Sequence, residues 1–427
     1  MQQNNKSTSI FSIAILVAAL GYFVDIYDLL LFNIVRVDSL GDGVKGLGHS
    51  ASLTMSKMAF AEMTKSQGEF IISIQMIGLL IGGILWGIIG DKKGRLSVLF
   101  GSIILYSIAN IVNGFVQTPN QYALVRFVAG IGLAGELGAG ITLVSELVAK
   151  EKRGMVTSLV AGIGLTGAVF AYFISLAFDW RTCYFIGGGM GFCLLFLRVS
   201  VFESGMYKQV KESSVVKGNF LMFFNNAARF KKYICAILIG LPTWYVIGIL
   251  LAFSNNFAEK FGVVEKVLPK KATMFAYIFI AIADVLIGLI SQWLKSRKKA
   301  IFIFYFLTVV GIVLYFNQQG GTASTMYAVS AFLGFATGFW ALFVTMAAEQ
   351  FGTNLRATAT TTAPNMVRGS LPIMLLLFNW FQNINAGVAN AYVTAAIWLG
   401  VIVMCISVVA LYFTKETFGK DLNFVEE

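Results

Sequence analysis

The sequence is short of charge. Only 12% of its 427 residues are Asp, Glu, Lys or Arg, while 57% are hydrophobic, and soluble chains carry about a quarter charged. That shortage excludes an ordinary soluble fold and points to an integral membrane protein. Histidine is nearly absent: the single His49 falls in a polar loop, which leaves little material for histidine catalysis. Cys183, Cys193, Cys235 and Cys405 lie in or beside apolar runs without CxxC spacing, so packing is expected of them rather than disulfides or a metal. No nucleophile–histidine pair or catalytic ectodomain is visible, and no enzyme is expected. No small-residue cleavage site follows the first apolar run, which one cation, Lys6, precedes. It reads as a retained first helix and not a signal peptide. Alternating segments of about ten residues, the signature of a membrane barrel, are missing too.

What the chain does have is long continuous apolar runs, at roughly 10–35, 70–90, 96–117, 120–148, 154–178, 182–201, 233–257, 272–294, 300–317, 323–349, 357–382 and 388–413. Each is about the length a helix needs to span a bilayer. An all-α membrane protein of twelve transmembrane helices is expected, as two six-helix halves, 1–201 and 233–427, joined by a cytoplasmic linker, 202–232. With the N-terminus inside, inner segments hold 20 Lys and Arg and outer ones nine, which puts both termini in the cytoplasm. The net charge of +11 is mostly this bias, so no nucleic-acid partner is called for. The halves also echo each other: Glu146 and Arg153 lie 203 positions before Glu349 and Arg356, and Gly87 lies 201 before Gly288. Two similar halves around a cavity suit alternating access at a midplane site.

The motifs resemble a known superfamily. "GIIGDKKGR", with Gly87, Asp91, Gly94 and Arg95, resembles the signature of the major facilitator superfamily between helices 2 and 3. "RFVAGIGLAGELGAGITLVSELVAKEKRG" is similar to the fourth helix of its sugar-porter, metabolite:proton and phosphate:proton symporter branches, and "FESGMY" and "KETFGKDL" resemble the motifs that follow helices 6 and 12. The resemblance covers the whole chain and implies a secondary transporter. The second copy of the helix 2–3 signature has Gln292 and Lys295 in place of its acid and glycine. Gly248 and Ala252 stand where phosphate symporters place an acid and a tyrosine, which argues against inorganic phosphate, and the Gln-Gln pair of sugar porters is missing from helix 7.

Asp25 and Asp28 lie three residues apart in "GYFVDIYDLLLFNIV" and share one helical face. With the span ending near Val35, Asp28 lies about 10 Å below the outer boundary and Arg126 about 9 Å. Opposite charges at one depth should pair, since a charge at a helix centre costs at least about 2.5–3.5 kcal/mol. The resemblance implies that such a pair couples protons; a permanent salt bridge is the plainer reading. Glu136, among small residues that admit a neighbouring helix, is a second proton-carrier candidate or a packing carboxylate. Arg368, about 17 Å into helix 11, has no acid on its own span, so it would bind a substrate carboxylate or else pair with Asp284. Trp244 and Tyr245 after Pro242, with Trp340, Asn365 and Asn379, are further candidates for the substrate site or for packing. Gly87, Asp91, Gly94, Arg95, Glu146, Arg153, Glu349 and Arg356 are expected to form inner-side latches.

These expectations amount to a monomeric, proton-coupled symporter in the bacterial inner membrane that imports a small organic anion or zwitterion, with the proton as coupling ion and no other cofactor. A sugar or polyol porter is the competitor within transport. A transporter-like sensor would need no proton pair and would add a signalling extension. A channel would arrange its polar residues as a ring or filter.

Overall fold

In lipid a backbone can satisfy its polar groups only within its own segment, and in the computed structural model the described residues, 13–140, 153–203, 220–352, 354–387 and 390–420, form helices joined by turns and short loops, with no strand among them. Among the described residues ten helices are long and apolar enough to cross a membrane. The helix Arg95–Asn113 is a shorter third crossing, and Arg356–Gly369 with Leu371–Ile384 makes a broken eleventh, which completes twelve passes. Helix starts are set by side chains that take up open backbone N–H groups. Thr118 caps the fourth span ahead of Pro119, Asn226 the seventh, Ser296 the ninth, and Thr322 the tenth through a capping box.

Burial sorts the spans into inner and outer sets. The most apolar stretches of the first, fourth, seventh and tenth spans are 83, 72, 78 and 78% buried, against 39–44% for the fifth, sixth, eighth, ninth and twelfth. Side chains such as Phe196, Phe306 and Leu376 point outward from peripheral helices, where lipid is the solvent. Between the halves, the second span packs along the eleventh and the fifth along the eighth.

The polar outer segment expected over 36–69 is largely helical. The first helix continues to Leu40 and the second starts at Lys57, so both project past the apolar core. Several central spans are broken. The fourth turns at Ala134 and Gly135 before Glu136, and the tenth at Thr337–Phe339 before Trp340. Gly135 and Gly338 are 203 positions apart (338 − 135), the same offset as Glu146 and Glu349. The internal repeat therefore extends to where the helices break.

The seventh span holds a proline inside its helix. Pro242 does not interrupt it: α-helix runs from Ala227 through Tyr245, and the irregularity is a π-helical turn at Val246–Leu251. A proline leaves the carbonyl four residues back without its donor. Here that carbonyl, on Leu238, accepts from the Ser407 hydroxyl of the twelfth span at 2.8 Å.

Candidate functional site

The first span carries the N-terminal half of the site. Gly21, Asp25 and Asp28 recur at helical spacing and lie on one face. Asp28 is fully buried, and its Oδ1 accepts from Arg126 Nη1 at 2.9 Å while Nη2 donates to the Asp28 carbonyl at 3.0 Å. Arg126 also donates to Asn110 Oδ1 at 3.1 Å and to Gln75 Oε1 at 3.3 Å, and its guanidinium lies 5.4 Å from the Tyr184 ring centre. The equal depth read from the sequence thus corresponds to an ion pair, held on several sides.

Glu136 is not the lone desolvated acid that its small neighbours suggest. Arg198 of the sixth span grips it in a bidentate pair, at 2.8 Å to Oε2 and 3.0 Å to Oε1, and the Ser102 hydroxyl adds a third donor at 3.1 Å. Sequence reasoning missed Arg198. The signal was there, an arginine inside the apolar run 182–201, and an intramembrane charge is by default a functional candidate. Gly21 lies against this pair so closely that an added Cβ would stand 2.1 Å from Arg198 Nη2 and 3.0 Å from Glu136 Oε2.

Asp25 lies between these two pairs, fully buried, with neither carboxylate oxygen hydrogen-bonded among the described residues.

In the C-terminal half, Arg368 ends the inner piece of the eleventh span. Its Nη1 donates to Asn365 Oδ1 at 3.3 Å, its Nε has no partner among the described residues, and the guanidinium sits 5.6 Å from the Trp340 ring centre. It does not pair with Asp284. That carboxylate accepts from the Ala341 N–H at 2.9 Å, so it caps the half-helix that begins at Trp340.

Arg368, Trp244 and Trp340 line a small cavity with Tyr22 and Tyr277, of ≈ 20 Å³. That is room for about one water. Three buried donors around it have no acceptor among the described residues: Tyr22 Oη, Trp340 Nε1 and Arg368 Nε. Buried polar groups are ordinarily hydrogen-bonded, so three orphans at one cavity mark a place built for an acceptor.

Other candidates fall elsewhere. Tyr245 points away, donating to the Ala396 carbonyl of the twelfth span at 2.7 Å. Asn365 ties the halves together through Nδ2 to the Ala134 carbonyl at 2.8 Å, and Asn379 does so at the outer side through Glu69 Oε2 at 3.0 Å. Arg36, counted from sequence as a loop cation, is a further tie: its Nη2 donates to the Ala252 carbonyl at 2.6 Å. Above it an outer vestibule of ≈ 770 Å³ lies between the halves.

The inner latch is only partly described. Glu146 lies outside the described residues, as do the side chains of Asp91, Arg95 and Arg153. Gly94 makes the turn between the second and third spans at φ 92°, a backbone state that favours glycine. Gly87 packs against Thr358 of the other half. Glu349 pairs with Arg297, at 3.1 Å, because the ninth span begins beside it; Arg356 instead reaches the Ala348 carbonyl through Nε at 3.3 Å. Glu416 accepts from the Ser296 hydroxyl and from the Arg297 N–H at 2.9 Å. Partial burial opposes its charge, yet the Ser296 hydroxyl and the N–H groups of Arg297, Phe418 and Thr417 outweigh it and hold the carboxyl below its ordinary range.

This arrangement, two six-helix halves closing on a buried charged cavity, agrees with the family comparison: the Major Facilitator Superfamily profile matches residues 7–374. The chain belongs to the major facilitator superfamily. It is an integral membrane transporter of a small molecule, not an enzyme. A putative niacin/nicotinamide transporter, NiaP, of Bacillus subtilis (strain 168) is 27% identical over 84% of this chain and 90% of its own. A niacin transporter, NiaP, of Acinetobacter baylyi (strain ATCC 33305 / BD413 / ADP1) is 24% identical over 85% and 88%. The fold is similar to that of the proton:xylose symporter XylE bound to 6-bromo-6-deoxy-D-glucose, with a TM-score of 0.72, 17% identity and 97% of each chain covered.

Proposed function

We propose that this superfamily member is a proton-coupled importer of small aromatic monocarboxylates, working by alternating access in a bacterial inner membrane with both termini cytoplasmic. The observation that carries the reading is the set of three donors around one cavity that have no acceptor among the described residues, one of them the guanidinium of Arg368, which no described acid pairs. A carboxylate supplies both the missing acceptors and the missing charge. The walls suit a flat ring, since Trp244, Trp340, Tyr22 and Tyr277 surround the same space. The two relatives named for niacin favour the same chemistry. At ≈ 20 Å³ the cavity is contracted, and loading it requires the halves to part. A neutral sugar would leave Arg368 without an opposite charge. The buried acids of the N-terminal half provide sites for the coupling proton.

Uptake into proteoliposomes across an imposed pH gradient tests this, with nicotinate, benzoate, nicotinamide and xylose as probes. Nicotinate or benzoate should accumulate and xylose should not. Nicotinamide, the neutral counterpart of nicotinate, should be carried poorly. Arg368→Ala should weaken carboxylate binding roughly 10- to 150-fold, the loss of a charge-assisted hydrogen bond worth about 1.5–3 kcal/mol. Accumulation of xylose, or undiminished carboxylate binding by Arg368→Ala, would overturn the reading.

A further inference from the structure

We propose that the outer vestibule holds a second, peripheral binding site for an aromatic carboxylate, built on Arg36 and sharing no lining residue with the cavity of Arg368. The choice of ligand rests on the aromatic carboxylate reading above, while the site stands on its own residues.

Arg36 is the one buried charge among those that line the ≈ 770 Å³ vestibule, at 6% exposed. Three acids line it as well, Asp42, Glu62 and Glu259, and all three are exposed. Glu62 has Lys65 beside it at 3.8 Å, and Lys260 follows Glu259 in the chain. Water and salt screen such exposed charges, so the buried guanidinium decides which charge is favoured at depth. Arg36 is also under-used. Its Nη2 donates to the Ala252 carbonyl at 2.6 Å and its guanidinium carbon lies 4.3 Å from the Phe253 ring centre, but Nη1 has no acceptor among the described residues. No described acid pairs with it, and Glu69 of the second span is taken up by Asn379 Nδ2 at 3.0 Å.

A neutral carbonyl gives a buried guanidinium an acceptor but no opposite charge, and a buried charge is costly unless it is paired. A carboxylate supplies the charge, and its bonds to a guanidinium are roughly twice as strong as neutral ones. The walls select the rest of the ligand. Phe60 of the second span, Phe253 after the seventh and Tyr392 of the twelfth bring rings from both halves to this one space. A guanidinium stacked on a ring keeps its edge N–H groups free for an acceptor in its plane. Benzoate or nicotinate can use both the charge and the rings, whereas acetate can use only the charge. The vestibule also has room for such a ligand while the inner cavity is contracted to ≈ 20 Å³. Carboxylate is thereby held at the outer mouth before the halves part.

The test counts and then locates bound benzoate on the purified full chain in detergent. Equilibrium dialysis with labelled benzoate should find two per wild-type chain, one in Arg368→Ala and one in Arg36→Gln. Arg36→Gln should weaken the outer site about tenfold or more, the loss of a charge-assisted hydrogen bond. Phe60→Ala leaves Arg36 in place, should weaken benzoate at the same site, and serves if Arg36→Gln fails to fold. Location comes from Ala61→Cys on the vestibule wall, in a background with Arg368→Ala and without the four native cysteines. Benzoate should slow its labelling by a membrane-impermeant thiol reagent, acetate at the same concentration should not, and adding Arg36→Gln should abolish the protection. A single benzoate per wild-type chain, protection unchanged by Arg36→Gln and Phe60→Ala, or acetate protecting as well as benzoate would overturn the inference. Two benzoates still bound by Arg368→Ala, with protection that depends on Arg36, would sink the cavity reading and leave the vestibule site standing. If wild type binds none, both fail.

Discussion

At the scale of single residues, the buried charges divide into those with partners and those without. Glu136 and Arg198 form a bidentate buried pair with Ser102 attached. Breaking such a pair from one side costs about 3–5 kcal/mol, because the remaining charge is left uncompensated, whereas removing both charges can be nearly neutral. Arg198→Gln is therefore expected to lower the melting temperature in detergent markedly, and adding Glu136→Gln should restore much of it. Thermal unfolding of the two single variants and the double variant measures the coupling. If the double variant is as unstable as the sum of the singles, the pair is not the unit described here.

At the scale of elements, the broken helices put charge to structural use. The half-helix from Trp340 has no cap of its own, and Asp284 of the eighth span supplies one by accepting the Ala341 N–H. Asp284→Asn keeps a carbonyl acceptor in place and should leave stability nearly unchanged, while Asp284→Ala should lose about 0.5–2 kcal/mol, the usual cost of a missing cap. The check is thermal unfolding beside nicotinate binding. Lost binding in Asp284→Asn at unchanged stability would move this acid from cap to substrate contact. The seventh span repairs itself similarly, with Ser407 serving the Leu238 carbonyl that Pro242 leaves open.

At the scale of the whole molecule, the halves are held close on both sides of the cavity. Outside, Arg36 reaches Ala252, Lys270 reaches Asp38 at 2.9 Å, and Asn379 reaches Glu69. On the inner side Gly138 lets the eleventh span approach so closely that a Cβ there would stand 2.6 Å from the Thr361 Cα. A backbone atom cannot swing aside as a side-chain tip can. Gly138→Leu should wedge the inner sides apart and shift the population toward an inward-open state. Spin labels at Lys92 and Lys299, in a background without the four cysteines, should report a longer separation than in the parent. An unchanged distance with normal folding would mean that this contact does not hold the inner side shut.

The sequence by itself determined the membrane setting, the twelve passes, the two-fold repeat and the superfamily, because these depend on composition, run length and spacing along the chain. It also placed Asp28 and Arg126 at one depth, since rise per residue is fixed in a helix. What it could not determine was rotation about each helix axis and contact between helices distant in sequence. Arg198 drew no notice in the sequence until the tertiary structure turned it onto Glu136, Tyr245 was a candidate for the substrate site until it faced the twelfth span, and the latch residue Glu349 found its partner in Arg297, which the sequence had not singled out. Asp25 and Asp28 are near-equivalent in sequence, and only packing leaves one held by an arginine and the other without a hydrogen-bond partner among the described residues. A pairing between helices is decided by a few ångströms of lateral geometry, and that geometry is set by all twelve helices together.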